Sequence, residues 1–147
     1  MHMQEETLRD IMTKDVTCCS PQDQVSQAAQ KMQQLNVGSI PVCDTNNNVI
    51  GMITDRDICL RCVADNLPNT TPVQQVMSQD VVTAPPDMSV DKAAHLMSEK
   101  QIRRLPIVEN GQIVGIVAIG DLATRHPSAE EAGHALSDIS SPSQPLQ

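Results

Sequence analysis

The sequence predicts a mixed α/β fold, of the α+β kind, made of two tandem copies of one unit. Three observations predict it: an internal repeat, apolar residues at helical spacing in each copy, and a strand pair with a tight turn in each copy. Each copy reads strand–helix–strand–strand–helix. The chain has 147 residues, of which 39% are hydrophobic, and this is enough for the packed core of about one domain.

The internal repeat becomes visible when the sequence is compared with itself. A shift of 65 residues places Met12 on Met77, and a shift of 64 residues further along places Asp57 on Asp121. Many residues between these pairs also match in order, with a single gap, which chance seldom produces.

The repeat divides the chain into four segments. They are repeat 1 at residues 7–65, a linker at 66–71, repeat 2 at 72–126 and a tail at 127–147. The tail is rich in Ser, Pro and Gln and has few apolar residues to bury, so we expect it to be mobile.

The first elements of each repeat follow from local patterns. Lead-ins at 7–12 and 73–77 read as short helices, and β-branched runs at 16–18 and 81–83 predict short strands that end at prolines. An amphipathic helix follows, with apolar residues at i, i+3, i+4 and i+7. These are Val25, Ala28, Ala29, Met32 and Leu35 in repeat 1 and Val90, Ala93, Ala94 and Met97 in repeat 2.

A strand pair and a last helix complete each repeat. In repeat 1, strands at 39–43 and 49–53 flank an Asn-rich turn, and a helix is predicted at 56–65. In repeat 2, the Asn-Gly pair at 110–111 is a strong hairpin signal, because both central positions of such a turn need φ > 0. A helix at 120–125 follows.

Composition and charge exclude several classes of partner. The chain has no Phe, Tyr or Trp and a formal net charge of −8, so it lacks the stacking platforms and clustered positive charge that nucleic acid requires. No apolar run approaches the length of about 18 residues that a membrane span needs, and the N-terminal residues show no signal-peptide pattern. We therefore expect a cytoplasmic protein whose partners are neither nucleic acid nor membrane.

The five cysteines are expected to be reduced thiols, because an odd number without a signal peptide argues against a disulfide framework. Cys59 and Cys62 form a Cys-x-x-Cys pair, but no second Cys or His pair of matching spacing completes a zinc site. We interpret both as semi-buried helix residues. Thiol activity of this pair is the one enzymatic alternative, since no Ser-His-Asp order and no metal cluster is present in the sequence.

The repeat resembles the CBS domain, named after cystathionine β-synthase, and the tandem arrangement resembles a CBS pair. The resemblance rests on DIMT at 10–13, VGSIPV at 37–42 and GMITDRD at 51–57, with their counterparts QVMS at 75–78, IRRLPI at 102–107 and GIVAIGD at 115–121. It implies that the repeats pack about a pseudo-twofold axis with two clefts for adenosine-containing ligands, and that two chains form a homodimer.

The corner after the second strand of repeat 1 has chemistry of its own. Thr54 ends the strand and Asp57 falls in the first turn of the next helix, so a hydroxyl and a carboxylate share one corner. The carboxylate has two acceptor oxygens for the hydroxyls of a ribose cis-diol, and the threonine adds a third bond. The same Thr-x-x-Asp spacing is a capping box that only starts a helix. The resemblance favours ribose binding.

The resemblance also implies the phosphate and adenine contacts. Arg103 and Arg104 are implied to face the ligand phosphates in the cleft that holds Thr54 and Asp57, where forked guanidinium donors match phosphate oxygens. The adenine pocket is implied to contain Val16, Thr17, Cys18 and Met52.

The second cleft is less well equipped. Asp121 corresponds to Asp57 as a ribose ligand, but Ala118 replaces Thr54 and a Gly-Ser pair replaces the two arginines. Arg56 is the remaining candidate for a phosphate contact. We therefore expect two unequal sites.

The leading hypothesis is a regulatory module and not an enzyme. It would bind an adenine nucleotide such as AMP or ATP, or a related adenosyl ligand such as NADH or S-adenosylmethionine, and would shift the conformation of a dimer. Its output would pass to a separate target protein or be the dimer state itself. The alternative is a ligand-free interaction scaffold. Neither a metal nor a resident cofactor is implied, and the sequence does not name the ligand.

Overall fold

The computed structural model describes residues 6–125 of the chain. It shows the predicted mixture of helices and strands, which in chain order are α1 (Leu8–Ile11), α2 (Val25–Leu35), β1 (Ser39–Cys43), β2 (Val49–Thr54), α3 (Asp55–Ile58), a π-helical turn (Cys59–Val63), a 3₁₀ turn (Val73–Gln75), α4 (Val90–Lys100), β3 (Arg104–Glu109), β4 (Gln112–Ala118) and α5 (Ile119–Arg125). Within this range, every helix is too short or too polar to cross a membrane. The tail predicted at 127–147 lies outside the described residues.

The described residues form two compact units, and neither consists of one sequence repeat alone. Unit 1 contains residues 6–16, 82–109 and 114–125, and unit 2 contains Thr17–Val81 and Asn110–Ile113. Each unit therefore joins the amphipathic helix and strand pair of one repeat to the lead-in of the other repeat.

The core of unit 1 is aliphatic and includes the N-terminal lead-in. Leu8 and Ile11 of α1 are buried in the same cluster as the apolar face of α4. The buried residues of α4 are Val90, Ala93, Ala94 and Met97, as the periodicity predicts. Ser89 caps the start of the helix, where its hydroxyl accepts a hydrogen bond from the Lys92 backbone N–H, and Gln101 caps its end in the left-handed conformation.

In unit 2, α2 has a narrower buried face than its sequence predicts. Val25, Ala28 and Met32 are buried, whereas Ala29 and Leu35 are exposed. At about 100° per residue, these two side chains lie on either edge of the stripe formed by the other three. Asn36 caps the end of the helix and adopts the left-handed conformation with φ 56°.

The strand pairs form as predicted, each as a two-stranded sheet. β1 and β2 are antiparallel, with Ser39 opposite Thr54 and an irregularity between Val42 and Cys43. The turn between β3 and β4 has φ values of 55° and 82° at positions 110 and 111, so the Asn-Gly pair supplies the positive φ that the turn needs.

The prediction of strands at 16–18 and 81–83 is wrong. Neither segment is a strand, and each contributes instead one parallel bridge just beyond it, Cys19 with Val42 and Ala84 with Ile107. The prolines that closely follow both segments have no N–H to donate, which limits how far a ladder can extend.

The last helix of repeat 1 begins one residue before the predicted range and changes its hydrogen-bond pattern. α3 runs on into the π-helical turn, where the Ala64 N–H donates to the Cys59 carbonyl oxygen at 2.9 Å. The predicted helix at 120–125 is α5, which starts at Ile119.

Each lead-in packs against the second strand of its unit. A methionine at its end contacts the strand, and the residue that follows it exchanges two backbone hydrogen bonds with the strand. In unit 2, Ser78 and Met52 exchange backbone hydrogen bonds of 2.9 Å, and in unit 1 Thr13 and Ile116 do the same at 2.9 and 3.0 Å. A glycine lies beside each bridge. A Cβ atom on Gly51 would meet the Met77 sulfur at 2.5 Å, and one on Gly115 would meet the Met12 sulfur at the same distance.

We predict that Gly51→Ala lowers the free energy of unfolding by about 1–3 kcal/mol, because the added methyl overpacks a filled space. The methyl would also lie 3.0 Å from the carbonyl oxygen of Ser78, which is fixed by its bond to Met52. Urea denaturation measures the change.

The matched control is Gly120→Ala at an exposed position of α5, where a Cβ would meet no atom within 4 Å. It should leave stability unchanged or raise it by up to about 1 kcal/mol. Equal effects of the two substitutions would contradict close packing of Met77 and Ser78 against Gly51.

Candidate ligand-binding site

The corner between β2 and α3 in unit 2 is built as a capping box. The Thr54 hydroxyl accepts a hydrogen bond from the Asp57 backbone N–H at 2.9 Å, and the Asp57 carboxylate accepts one from the Thr54 N–H at 3.2 Å. Thr54 is extended, with φ −118°, as an N-cap residue should be. The pair therefore forms the capping box that its Thr-x-x-Asp spacing predicts, and the two hydrogen bonds fix both side chains in place.

Asp57 is largely buried and has further polar partners. Only 8% of the residue is exposed, and both carboxylate oxygens accept from the Ser78 hydroxyl at 3.3 Å. The Arg61 Nε atom lies 3.9 Å from Oδ1. The corner thus gathers two hydroxyls, a carboxylate and a guanidinium, which are groups that hydrogen-bond a sugar or a phosphate.

Ser78 and Arg61 were not among the predicted site residues, although the sequence contains an indication of each. Arg61 lies four residues after Asp57, the spacing at which helical side chains meet. Ser78 ends the repeat 2 motif that matches residues 10–13, so its repeat 1 counterpart is Thr13. Its place near Asp57 follows from the lead-in docking onto β2, which the local pattern does not specify.

The corresponding corner of unit 1 has the carboxylate without the threonine. Asp121 accepts a hydrogen bond from the Ala118 N–H at 3.0 Å, which is half of a capping box. The structure brings Arg104 near this carboxylate: burial lowers the pKa of the Arg104 guanidinium, and attraction to Asp121 partly opposes that shift. The Arg104 Nε atom is buried and has no hydrogen-bond partner within residues 6–125.

The other predicted site residues differ in exposure. Arg103 and Arg56 are exposed, and the Arg103 carbonyl oxygen accepts from the Ile119 N–H at 2.8 Å. Of the predicted adenine contacts, Thr17 is exposed and the half-buried ones are Val16, Cys18 and Met52.

The predicted site residues are divided between the two units. Thr17, Cys18, Met52, Thr54, Arg56 and Asp57 belong to unit 2, and Val16, Arg103, Arg104 and Asp121 belong to unit 1. The assignment of residues from both units to one ligand stays a prediction.

The cysteines form no metal site in the part of the chain that the structure describes, where no group of three or more His, Cys, Asp or Glu side chains is placed to hold an ion. Cys59 is exposed, whereas Cys62 is buried and its thiol donates to the carbonyl oxygen of Leu67 at 3.6 Å. The two therefore differ in environment despite their Cys-x-x-Cys spacing.

Comparison with known proteins identifies both halves of the chain. The CBS domain model matches residues 8–63 and again residues 73–127. The CBS domain-containing protein YhcV of Bacillus subtilis (strain 168) is 48% identical over 134 residues, which are 91% of this chain and 95% of that protein.

Two solved structures share the fold. Hypoxic Response Protein I, solved with two coordinated zinc ions, has a TM-score of 0.75 at 34% identity, over 82% of this chain and 99% of that one. The CBS domain pair of protein MJ0100, solved in complex with 5′-methylthioadenosine and S-adenosyl-L-methionine, has a TM-score of 0.72 at 27% identity, over 82% and 94%.

The two matched segments cover most of the chain, and the relatives align along nearly their whole lengths, so this chain belongs to the CBS domain family as a tandem CBS pair.

Proposed function

We propose that this CBS pair is a regulatory module that binds an adenosine-containing ligand. The observation that carries the proposal is the corner of unit 2, where a nearly buried carboxylate lies with the hydroxyls of Thr54 and Ser78. Asp57 would accept hydrogen bonds from the ribose hydroxyls, and a ribose hydroxyl would take over the place of the Ser78 donor.

The ligand class is supported by a relative and not by the corner alone. The CBS pair of MJ0100 was solved with two adenosyl compounds, and its sequence is 27% identical to this chain where the two structures match. A carboxylate and hydroxyls recognise a ribose but do not read the base. We therefore propose an adenosyl ligand on that likeness, and half-buried Cys18 and Met52 of unit 2 as adenine contacts, with Val16 and Thr17.

Phosphate recognition is proposed for the arginines of unit 1. Arg103 is exposed, and Arg104 has a buried Nε donor without a partner among the described residues. An anionic acceptor would satisfy this donor and would offset the burial of the guanidinium. We therefore propose ligands that carry phosphate, such as AMP or ATP, over cationic ones such as S-adenosylmethionine. Arg56 and Asp121 are proposed for a second, weaker site.

CBS-pair proteins are typically regulatory modules, and no catalytic family is indicated for this chain. We propose that binding changes the conformation of a homodimer and thereby a separate target protein, in the cytoplasm. This requires the ligand to prefer one conformation, since equal affinity for both shifts nothing.

A ligand-free scaffold is the second candidate, and one observation favours it. The polar groups of the unit 2 corner already satisfy one another, since Thr54 and Asp57 are joined by two hydrogen bonds and Ser78 donates to the carboxylate. A corner of this kind is complete without a ligand. Equilibrium binding of AMP, ATP, NADH and S-adenosylmethionine to the purified chain distinguishes the two candidates. If none of these ligands shows saturable binding, the scaffold is favoured.

We predict that Asp57→Asn weakens adenosine binding about 10- to 150-fold. The amide loses one acceptor oxygen and the charge, and charge-assisted hydrogen bonds contribute about 1.5–3 kcal/mol. Isothermal titration calorimetry measures the affinity, and thermal unfolding checks that the variant remains folded.

The matched control is Asp121→Asn, which makes the same change at a carboxylate that also caps a helix corner. It should affect only a weaker second site and leave the tighter one within about threefold. If Asp57→Asn binds adenosine like the unmodified chain, the ribose assignment is wrong.

We predict that Arg104→Ala weakens AMP binding by about tenfold or more and adenosine binding by less than about threefold. The difference arises because only AMP carries a phosphate for the guanidinium to bind. Competition titrations of both ligands against the same variant give the ratio directly.

Arg9→Ala controls for the general loss of positive charge, since Arg9 is also in unit 1 and is paired with Glu109 at 2.9 Å. It should change the affinity of AMP and adenosine equally and little. A loss with Arg104→Ala that is the same for AMP and adenosine would contradict phosphate binding.

A further inference from the structure

Two cysteine side chains of unit 2 meet outside the proposed ribose corner. The Cys43 thiol lies 3.2 Å from the Cys18 sulfur and donates a hydrogen bond to it. The chain segment of Cys18 is fixed beside β1, because the Cys19 N–H donates to the Pro41 carbonyl oxygen and the Cys43 N–H donates to the Cys19 carbonyl oxygen, both at 2.9 Å. The two sulfurs are therefore held together by backbone pairing.

We propose that Cys18 and Cys43 are a dithiol site that is oxidised to an intramolecular disulfide by small-molecule disulfides such as oxidised glutathione. A disulfide bond is about 2.05 Å long, so the sulfurs must approach by roughly 1 Å to form it. The sequence alone predicted reduced thiols, because an odd number of cysteines without a signal peptide argues against a disulfide framework.

The surroundings of the two sulfurs give Cys18 and Cys43 different roles in the exchange with the small-molecule disulfide. Cys18 is half-buried and accessible, whereas Cys43 is 5% exposed. The hydrogen bond from Cys43 lowers the pKa of the Cys18 thiol, and the nearby Lys31 ammonium adds to this against the effect of burial. The same hydrogen bond, together with burial, raises the pKa of Cys43. Cys18 is thus the attacking thiolate and Cys43 the resolving thiol.

The oxidation proceeds through two successive thiol–disulfide exchanges. The Cys18 thiolate attacks one sulfur of oxidised glutathione, the glutathione S–S bond breaks, and one glutathione thiolate leaves. The Cys43 thiol then loses its proton and attacks the Cys18 sulfur, the mixed disulfide breaks, and the second glutathione thiolate leaves. The protein pair loses two electrons, oxidised glutathione gains them, and the two protons end on the two glutathione thiols.

The neighbouring cysteines supply internal controls. Cys19 is adjacent to Cys18 but is 1% exposed, and burial raises its pKa. Cys59 is exposed. Oxidised glutathione should therefore leave Cys19 unmodified and form at most a mixed disulfide at Cys59.

The experiment uses the full chain with Cys59→Ser, which removes the exposed thiol and leaves four of the five cysteines. After exposure to oxidised glutathione and alkylation of free thiols, we expect the number of free thiols under denaturing conditions to fall from four to two. The intact mass should show loss of two hydrogens without bound glutathione, and dithiothreitol should restore four thiols. An unchanged thiol count, or glutathione that stays on Cys18, would overturn the proposal.

Two further variants identify the pair, because Cys18 and Cys19 share a tryptic peptide. In the same background, Cys18→Ser should abolish the disulfide and Cys19→Ser should leave it intact. Cys43→Ser should trap glutathione on Cys18. If Cys43→Ser does not fold, the other two variants still decide the assignment. A disulfide that survives Cys18→Ser or disappears with Cys19→Ser would refute it.

Discussion

Each compact unit depends on the docking of a lead-in from one repeat onto the second strand of the other repeat. In unit 2 this contact consists of the Ser78–Met52 bridge and the packing of Met77 on Gly51. A two-stranded hairpin alone buries too little surface to be stable in water, so the lead-in supplies the surface that completes the core. The same arrangement in unit 1 makes the contact a property of the repeat and not of one sequence segment.

The docked lead-in also connects the fold to the proposed site. Ser78 is part of the bridge to β2, and its hydroxyl reaches the Asp57 carboxylate at 3.3 Å. A ribose that displaced this hydroxyl would act directly on the segment that closes the unit 2 core. This is a physical route by which a bound ligand would favour one conformation of the chain, as a regulatory module requires.

The two corners share a backbone plan and differ in chemistry. Both carboxylates accept a hydrogen bond from the backbone N–H three residues earlier, that of Thr54 or Ala118. Asp57 also has the Thr54 and Ser78 hydroxyls and Arg61 around it, whereas Ala118 has no hydroxyl to offer beside Asp121. The repeat therefore preserves the part of the corner that the fold needs, the carboxylate that accepts this backbone hydrogen bond. The side chains that set charge and hydrogen bonding differ between the copies.

The sequence by itself determined the elements whose causes lie within a few residues: the two amphipathic helices, both strand pairs, the Asn-Gly turn and the Thr54–Asp57 corner. It also indicated the family. Only the tertiary structure decided which lead-in packs on which strand pair, that residues 16–18 and 81–83 are not strands, and that Ser78 meets Asp57 and Cys18 meets Cys43. Periodicity and capping patterns report on neighbours about four residues apart, whereas these contacts join segments more distant in the chain and are set by how the cores close.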